Sequence, residues 1–179
     1  MLWGTEWFEI EILKHIQNFL ACPVLDFLMP RISLLGDIGL VWIFCGMGMM
    51  ISKKHRKAGA FLLVGLLLGL IIGNVILKNL FQRPRPCWIE PEMLRLVQSP
   101  KDFSFPSGHS LSSFIAAFTI FFHQKRWGTV AIVLAAVMAF SRLYLFVHFP
   151  TDVLGGIVIA FGISYILKIL SEKKRGCSV

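Results

Sequence analysis

The amino-acid sequence predicts an all-α integral membrane protein, built as a bundle of about five transmembrane helices with an N-terminal amphipathic interfacial helix. Hydrophobic residues make up 56% of the 179 residues and charged residues only 16%, far from the balance of a soluble globular protein. Long apolar segments recur along the chain, and short basic runs lie beside them. Nothing in the composition divides the chain, so residues 1–179 are expected to form a single domain.

The first expected element is a helix over residues 4–20. Its apolar residues, such as Trp7 and Phe19, recur near helical spacing, whereas charged residues such as Glu9 occupy other positions. A helix with one apolar and one charged face lies in the plane of the membrane interface. A second short helix over residues 24–35 is expected to lead into the first span.

The five expected spans cover residues 32–51, 58–77, 108–123, 127–147 and 152–170. The second is the clearest, and its Gly65 and Gly69 form a GxxxG pair that suits close helix packing. The first is weakened by Asp37 and by several glycines. The polar, proline-rich segment 79–106 is the one substantial loop, and it is the candidate site loop.

The basic runs set the expected orientation. Lysine and arginine cluster at 53–57, at 124–126 and in the C-terminal tail, which the positive-inside rule places on the cytoplasmic side. Alternation of the spans then places the loop 79–106, the turn 147–152 and the N-terminal helix on the extracytoplasmic face. The net charge of +8 could also suggest nucleic acid, but basic runs beside apolar segments are typical of membrane anchors, so no nucleic-acid partner is expected.

The four cysteines form no CxxC pair and have no metal-ligand spacing, which favours free thiols. A disulfide between Cys22 and Cys87 is the alternative, because the topology allows both to face the outside.

Three polar patches interrupt the apolar sequence, and the expected topology brings all three to one membrane face. They cover residues 78–86, 106–109 and 141–152. In the first, prolines on both sides hold Arg85 on a stiff extended segment beyond Lys78. Lysine offers a point charge, and arginine offers a planar fork that fits phosphate oxygens. For this patch alone, the alternative is a snorkelling lysine and solvated arginines at a helix end.

The second patch, Pro-Ser-Gly-His, predicts a turn that starts the third span. Ser107 is the expected N-cap. Backbone N–H groups at a helix N-terminus, such as that of Gly108, favour an anion, and His109 would lie in the first turn beside it. Taken alone, the four residues are explained nearly as well by a simple capped turn.

The third patch combines a cation with a histidine and a carboxylate. Arg142 lies near the outer end of the fourth span, and His148 and Asp152 flank Pro150. A carboxylate four residues after a histidine can accept from one ring nitrogen and leave the other as a base or nucleophile. The alternative is a histidine that merely decorates the interface.

Together the patches place cations, a helix N-terminus, two histidines and an aspartate at one end of a helical bundle. Such a site would hold an anionic tetrahedral group, with Lys78, Arg85 and Arg142 stabilising the charge on its oxygens. No Asp/Glu cluster suits Mg²⁺, so phosphoryl transfer without a metal or another cofactor is the expected chemistry.

The order K-x6-R-P, P-S-G-H, S-R-x5-H-x3-D resembles the three-part signature of the type-2 phosphatidic acid phosphatase (lipid phosphate phosphatase) superfamily, with its bacterial phosphatidylglycerophosphatase B-like and undecaprenyl-diphosphatase-like members. The matching residues are Lys78, Arg85, Pro86, Pro106 to His109, Ser141, Arg142, His148 and Asp152. The resemblance covers about residues 30–170. It leaves Arg83 as an extra cation without a role, and several bacterial members have six spans where this chain begins with the 4–20 helix.

The resemblance implies a role for each of these side chains. His148 attacks phosphorus and forms a phosphohistidine, Asp152 orients and polarises it, and His109 protonates the leaving oxygen before water hydrolyses the intermediate. The residues that hold the phosphate are Lys78, Arg85, Ser107, Gly108 and Arg142.

The implied substrate is a lipid phosphate or diphosphate at the outer face of a bacterial-type cytoplasmic membrane. Candidates are undecaprenyl diphosphate, phosphatidylglycerol phosphate, phosphatidic acid and lipid A phosphate. Membrane lipids are the other expected partners, and no obligate protein partner is expected. Two alternatives are a relative of the vanadate-dependent haloperoxidases, whose soluble character fits five spans poorly, and a lipid-phosphate binding or transport protein without turnover.

Overall fold

The computed structural model describes residues 4, 6–93 and 96–176, with side chains described as far as residue 172. Every regular element in this part of the chain is helical. The elements are α1 (Glu6–Leu20), α2 (Pro23–Leu35), a 3₁₀ turn (Asp37–Gly39), α3 (Leu40–Ile51), α4 (Arg56–Gly69), a π-helical segment (Leu70–Leu77), α5 (Lys78–Phe81), α6 (Pro86–Ile89), α7 (Gly108–His123), α8 (Lys125–Tyr144) and α9 (Pro150–Gly176).

The predicted all-α membrane bundle is confirmed. Within the described residues, three helical stretches are each long and apolar enough to cross a bilayer: Arg56–Ile89, Lys125–Tyr144 and Pro150–Glu172. The helices α2 and α3, bent by 46° at their junction, together give a fourth. Helix α7 has 16 residues and packs against α4, α8 and α9, so most of its surface is covered by protein. The count of five spans and their limits stay a prediction.

The first expected span, 32–51, is not one continuous helix. The chain leaves the helix at Gly36 and resumes it at Leu40, because Ile38 (φ 56°) and Gly39 (φ 70°) adopt left-handed backbone conformations that an α-helix cannot contain. A Cβ at Gly36 would lie 2.8 Å from the His109 ring, so glycine lets this histidine approach the break.

Close packing joins α4 to α7, as the GxxxG pair predicts. A Cβ added at Gly69 would lie 2.5 Å from Ile115 Cδ1, and one added at Gly73 would lie 2.4 Å from Leu111 Cδ2. Gly65 meets Ile115 in the same way. This contact fixes the end of the π-helical segment beside the start of α7, and these two chain ends carry the first and second polar patches.

Helix α1 lies against the link between α8 and α9. Its Ile10 and Leu13 join a buried cluster with Tyr144 and Phe146, while Trp7 is 71% exposed, as an interfacial helix requires. Glu9 differs from the expectation, because it is only 3% exposed and does not belong to a solvated face. Its buried partners are described below.

The thiols of Cys22, Cys45 and Cys87 are free, so the alternative of a Cys22–Cys87 disulfide is wrong for this structure. Cys177 lies outside the described residues.

Candidate active site

The three polar patches meet in one cavity at the end of the bundle, with a volume of about 630 Å³. It is lined by six of the eight predicted site residues: Lys78, Arg85, Gly108, His109, Arg142 and His148. The other two, Ser107 and Asp152, lie fully buried behind it. The convergence of the patches at one end of the bundle therefore holds in three dimensions.

His148 is held by a short, buried link between α8 and α9. Its neighbours Val147 and Phe149 are fully buried, and Phe146 (φ 58°) turns the chain just before it. The Nε2 atom of His148 lies 3.2 Å from Arg85 Nη1, which donates towards it. The proton is therefore assigned to Nδ1, and Nε2 carries the lone pair on the side of the cations that line the cavity.

The charge environment keeps this imidazole neutral. Burial, followed by the positive charges of Arg85, Arg142 and Lys78, lowers the pKa of His148 well below its usual value. A histidine with a low pKa is deprotonated at neutral pH, which is the state a nucleophile needs.

Asp152 lies on the other side of His148, and its two oxygens have separate partners. Oδ2 accepts from the Phe149 N–H at 2.8 Å and from the Ser104 hydroxyl, and it lies 3.5 Å from His148 Nδ1. Oδ1 accepts from Arg83 Nη1 at 2.7 Å. The extra cation of the Arg-Pro-Arg-Pro segment is thus a partner of the aspartate rather than a lining residue of the cavity.

Ser107 is the N-cap of α7, as the sequence predicts, and its role in holding phosphate stays a prediction. Its hydroxyl caps α7 by accepting from the Ser110 N–H at 3.4 Å, and its own N–H donates to the Asp152 carbonyl at 3.1 Å. It is buried and does not line the cavity: the hydroxyl caps α7 itself, and the N–H joins α7 to α9. Gly108 does line it, and a Cβ there would lie 3.2 Å from the Asn74 amide oxygen.

His109 has a carboxylate partner that the signature does not contain. Its Nε2 lies 2.9 Å from Asp37 Oδ1 and 3.1 Å from the Ser33 carbonyl. Both partners are acceptors, so Nε2 carries a proton. The signal in the sequence is an acidic residue inside an apolar segment, because such residues are rare in membrane spans and mark functional sites.

Arg142 is a buried guanidinium with spare hydrogen-bonding capacity. It is 6% exposed, donates from Nη1 to the Ser33 hydroxyl, and has no partner for Nε among the described residues. A buried arginine that lines a cavity without a paired carboxylate favours an anion as its partner.

Lys78 and Arg85 share a carboxylate from the site loop. Asp102 forms an ion pair with Lys78, and its Oδ1 accepts from Arg85 Nη2 at 2.8 Å. Burial raises the pKa of the Asp102 carboxyl, but Arg85 and Lys78 outweigh this effect and lower the pKa to about 2. Asp102 is not among the residues predicted from the sequence, because a single acid in a polar loop carries no signal.

The cavity carries three cations, Lys78, Arg85 and Arg142, against the carboxylates of Asp37 and Asp102. In the part of the chain described above, no three His, Cys, Asp or Glu side chains come together as metal ligands. The arrangement suits in-line attack on a phosphorus whose oxygens the cations hold.

A family model described as the PAP2 superfamily matches residues 58–175. The chain belongs to the PAP2 superfamily. This confirms the resemblance drawn from the three-part signature.

Individual PAP2 proteins are similar over most of the chain. The undecaprenyl-diphosphatase of Sulfolobus acidocaldarius is 32% identical over 161 residues, which is 89% of this chain and 76% of that protein. The crystal structure of a transmembrane PAP2-type phosphatidylglycerolphosphate phosphatase from Bacillus subtilis superposes with a TM-score of 0.78 at 29% identity, covering 95% of this chain and 87% of that one. LpxE of Aquifex aeolicus gives 0.77 at 26% identity, covering 88% and 92%.

Proposed function

We propose that this chain is a membrane lipid phosphatase that hydrolyses a phosphate or diphosphate head group through a phosphohistidine intermediate. The observation that carries the proposal is the position of His148 Nε2 beside Arg85, in a cavity also lined by Lys78 and by the partly unpartnered Arg142. A nucleophile and anion-binding groups thereby line the same cavity.

The remaining wall of the cavity supports a lipid substrate. Ile43 of α3 and Leu63, Leu66 and Leu70 of the α4 region line the same space as the cations. Apolar side chains continuous with a cation cluster fit a ligand with an anionic head and a hydrocarbon tail.

The first step forms a bond between His148 Nε2 and phosphorus as the bond from phosphorus to the leaving oxygen breaks. Asp152 stabilises the positive charge that develops on the ring, and Lys78, Arg85 and Arg142 stabilise the phosphoryl oxygens. A leaving oxygen that enters beside Asp37 takes the proton from His109 Nε2.

In the second step, water attacks phosphorus and returns a proton to His109, releasing inorganic phosphate and restoring His148. The Gly108 N–H at the start of α7 supplies a further donor for phosphate oxygens. Ser107 contributes by capping α7 and joining it to Asp152.

The proposed location is the extracytoplasmic face of the cytoplasmic membrane. The basic runs at 53–57 and 124–126 lie at helix ends away from the cavity, and the positive-inside rule assigns such runs to the cytoplasm. Proposed substrates are undecaprenyl diphosphate, phosphatidylglycerol phosphate and phosphatidic acid. Neither a cofactor nor a nucleic-acid or obligate protein partner is proposed.

The test is release of inorganic phosphate by the purified protein in detergent micelles that contain each candidate lipid, with EDTA present. At least one lipid should be hydrolysed, and His148→Ala should abolish turnover. His15→Ala is the matched control, because this histidine is exposed on α1 and its Nδ1 donates to the Glu11 carbonyl of the same helix. Phosphate binding without turnover would favour the binding or transport alternative, and turnover that requires Mg²⁺ would contradict the mechanism.

A further inference from the structure

Glu9 has the environment of a functional carboxylate, although it lies on the interfacial helix α1. It is almost fully buried, and both of its oxygens are used. Oε1 accepts from the Thr151 N–H at 2.9 Å and from the Thr151 hydroxyl at 2.7 Å. Oε2 accepts from Arg83 Nη2. Thr151 directly precedes Asp152.

Arg83 connects this carboxylate to the aspartate behind His148. Its guanidinium is fully buried, stacks 4.0 Å from the centre of the Phe149 ring, and donates to Glu9 and to Asp152 Oδ1. Arginine presents donors in a rigid fork, so two carboxylates fixed on one guanidinium also fix each other.

We infer that Glu9 and Arg83 are positioning residues for the His148–Asp152 pair. This inference rests on the proposed function. It gives α1 a part in the reaction, because Glu9 of α1 binds Arg83 and Arg83 binds Asp152 Oδ1. Oδ1 of Asp152 is tied to Arg83, which leaves Oδ2 directed at the Ser104 hydroxyl and at His148 Nδ1.

The charges of Glu9, Arg83 and Asp152 give a second reason why Glu9 and Arg83 should affect the reaction. Glu9, Arg83 and Asp152 together carry a net charge of −1, which lies behind the ring that becomes positive when it binds phosphorus. Without the charge of Glu9, the charges of Arg83 and Asp152 cancel, and the net charge behind the ring changes from −1 to zero. The transition state then loses stabilisation that the bound substrate does not need, so kcat is affected rather than KM.

Glu9→Gln tests the inference, because it keeps the shape and removes the charge. We expect kcat to fall by about 10-fold, the scale seen when the partner of a functional group is removed rather than the group itself. KM and the inhibition constant of inorganic phosphate should be unchanged, since Lys78, Arg85 and Arg142 are untouched. Glu11→Gln is the matched control on the same helix, because Glu11 is exposed and pairs only with Lys14 in the described contacts.

Glu9→Asp keeps the charge on a shorter side chain. It is the second test variant if thermal unfolding shows that Glu9→Gln folds poorly. Its kcat should lie between those of Glu9→Gln and the parent. An unchanged kcat in a folded Glu9→Gln variant, or an equal loss in Glu11→Gln, overturns the inference.

A second measurement separates this inference from the proposed function. In protein labelled with ¹⁵N-histidine, the Nδ1 resonance of His148, assigned by its loss in His148→Ala, should shift in Glu9→Gln and stay in place in Glu11→Gln. This readout needs no substrate, so an inactive parent protein would contradict the proposed function alone. A His148 Nδ1 resonance that does not shift in Glu9→Gln would contradict the inference alone.

Discussion

Two histidine–carboxylate pairs present their histidines to the cavity, and they are built differently. His148 and Asp152 are both buried, and Asp152 is bound by Phe149 N–H, Ser104 and Arg83. His109 and Asp37 lie 2.9 Å apart in an open setting, where the Asp37 side chain is 49% exposed. One pair is fixed from several sides and the other is accessible.

The two proposed roles explain this difference. A nucleophile must meet phosphorus in one orientation, and each neighbour that fixes Asp152 narrows the orientations of His148. A proton donor must reach a leaving oxygen and later a water molecule, so it needs access to the cavity. The left-handed backbone conformations of Ile38 and Gly39 provide this access to the cavity, because the break in the helix exposes Asp37 beside His109.

Asp152→Asn breaks the buried pair and should have the largest effect. An amide keeps the shape but removes the charge that stabilises a positive His148, and loss of the equivalent carboxylate in hydrolytic triads lowers kcat by about 10⁴-fold. Phosphate release with a candidate lipid measures the loss. Binding of inorganic phosphate provides the folding control, since the cavity cations remain, and a variant that binds phosphate yet keeps most of its kcat would contradict the role of Asp152.

Asp37→Asn breaks the accessible pair and should cost less. The amide oxygen still accepts from His109 Nε2, but it carries no charge to support proton transfer. We expect kcat for a lipid phosphate to fall by about 10-fold to 100-fold, at or below the lower end of the range for loss of a general acid, because His109 itself remains. The nitrophenolate of p-nitrophenyl phosphate leaves without a proton, so its hydrolysis should change little. Equal losses for both substrates would show that Asp37 does not act through the leaving group.

The two pairs also differ in how far the sequence predicts them. Histidine and aspartate four residues apart across Pro150 are visible as a motif, so the buried pair was predicted. Asp37 and His109 are 72 residues apart, and only the left-handed turn and the close approach at Gly36 bring them together.

A similar limit applies to the fold. Hydropathy predicts the apolar helices, and the glycine spacing predicts close packing of α4, because both depend on local pattern. The partner helix, α7, is known only from the structure. The burial of Glu9 cannot be predicted from local pattern. The residue spacing in α1 shows which residues share a face, but it does not show that Arg83 pairs with Glu9. Buried charges are placed by their partners, and those partners are distant in sequence.

Asp102 is a third carboxylate at the cavity, and it contacts the cations Lys78 and Arg85 rather than a histidine. A substrate phosphate needs the Lys78 and Arg85 donors that Asp102 uses, so Asp102→Asn should tighten binding of inorganic phosphate. The Asp102 side chain is 54% exposed, and ion pairs of this kind are worth roughly 1 kcal/mol or less, so the inhibition constant should fall by about three-fold. Because the pKa of Asp102 is about 2, the carboxylate stays charged and the effect should hold between about pH 5 and pH 8.

Glu90→Gln is the control for this prediction, because it removes a carboxylate that is paired with Lys14 outside the cavity. Weaker phosphate binding in Asp102→Asn would contradict the prediction and would show instead that the Asp102 carboxylate orients the cations for the substrate.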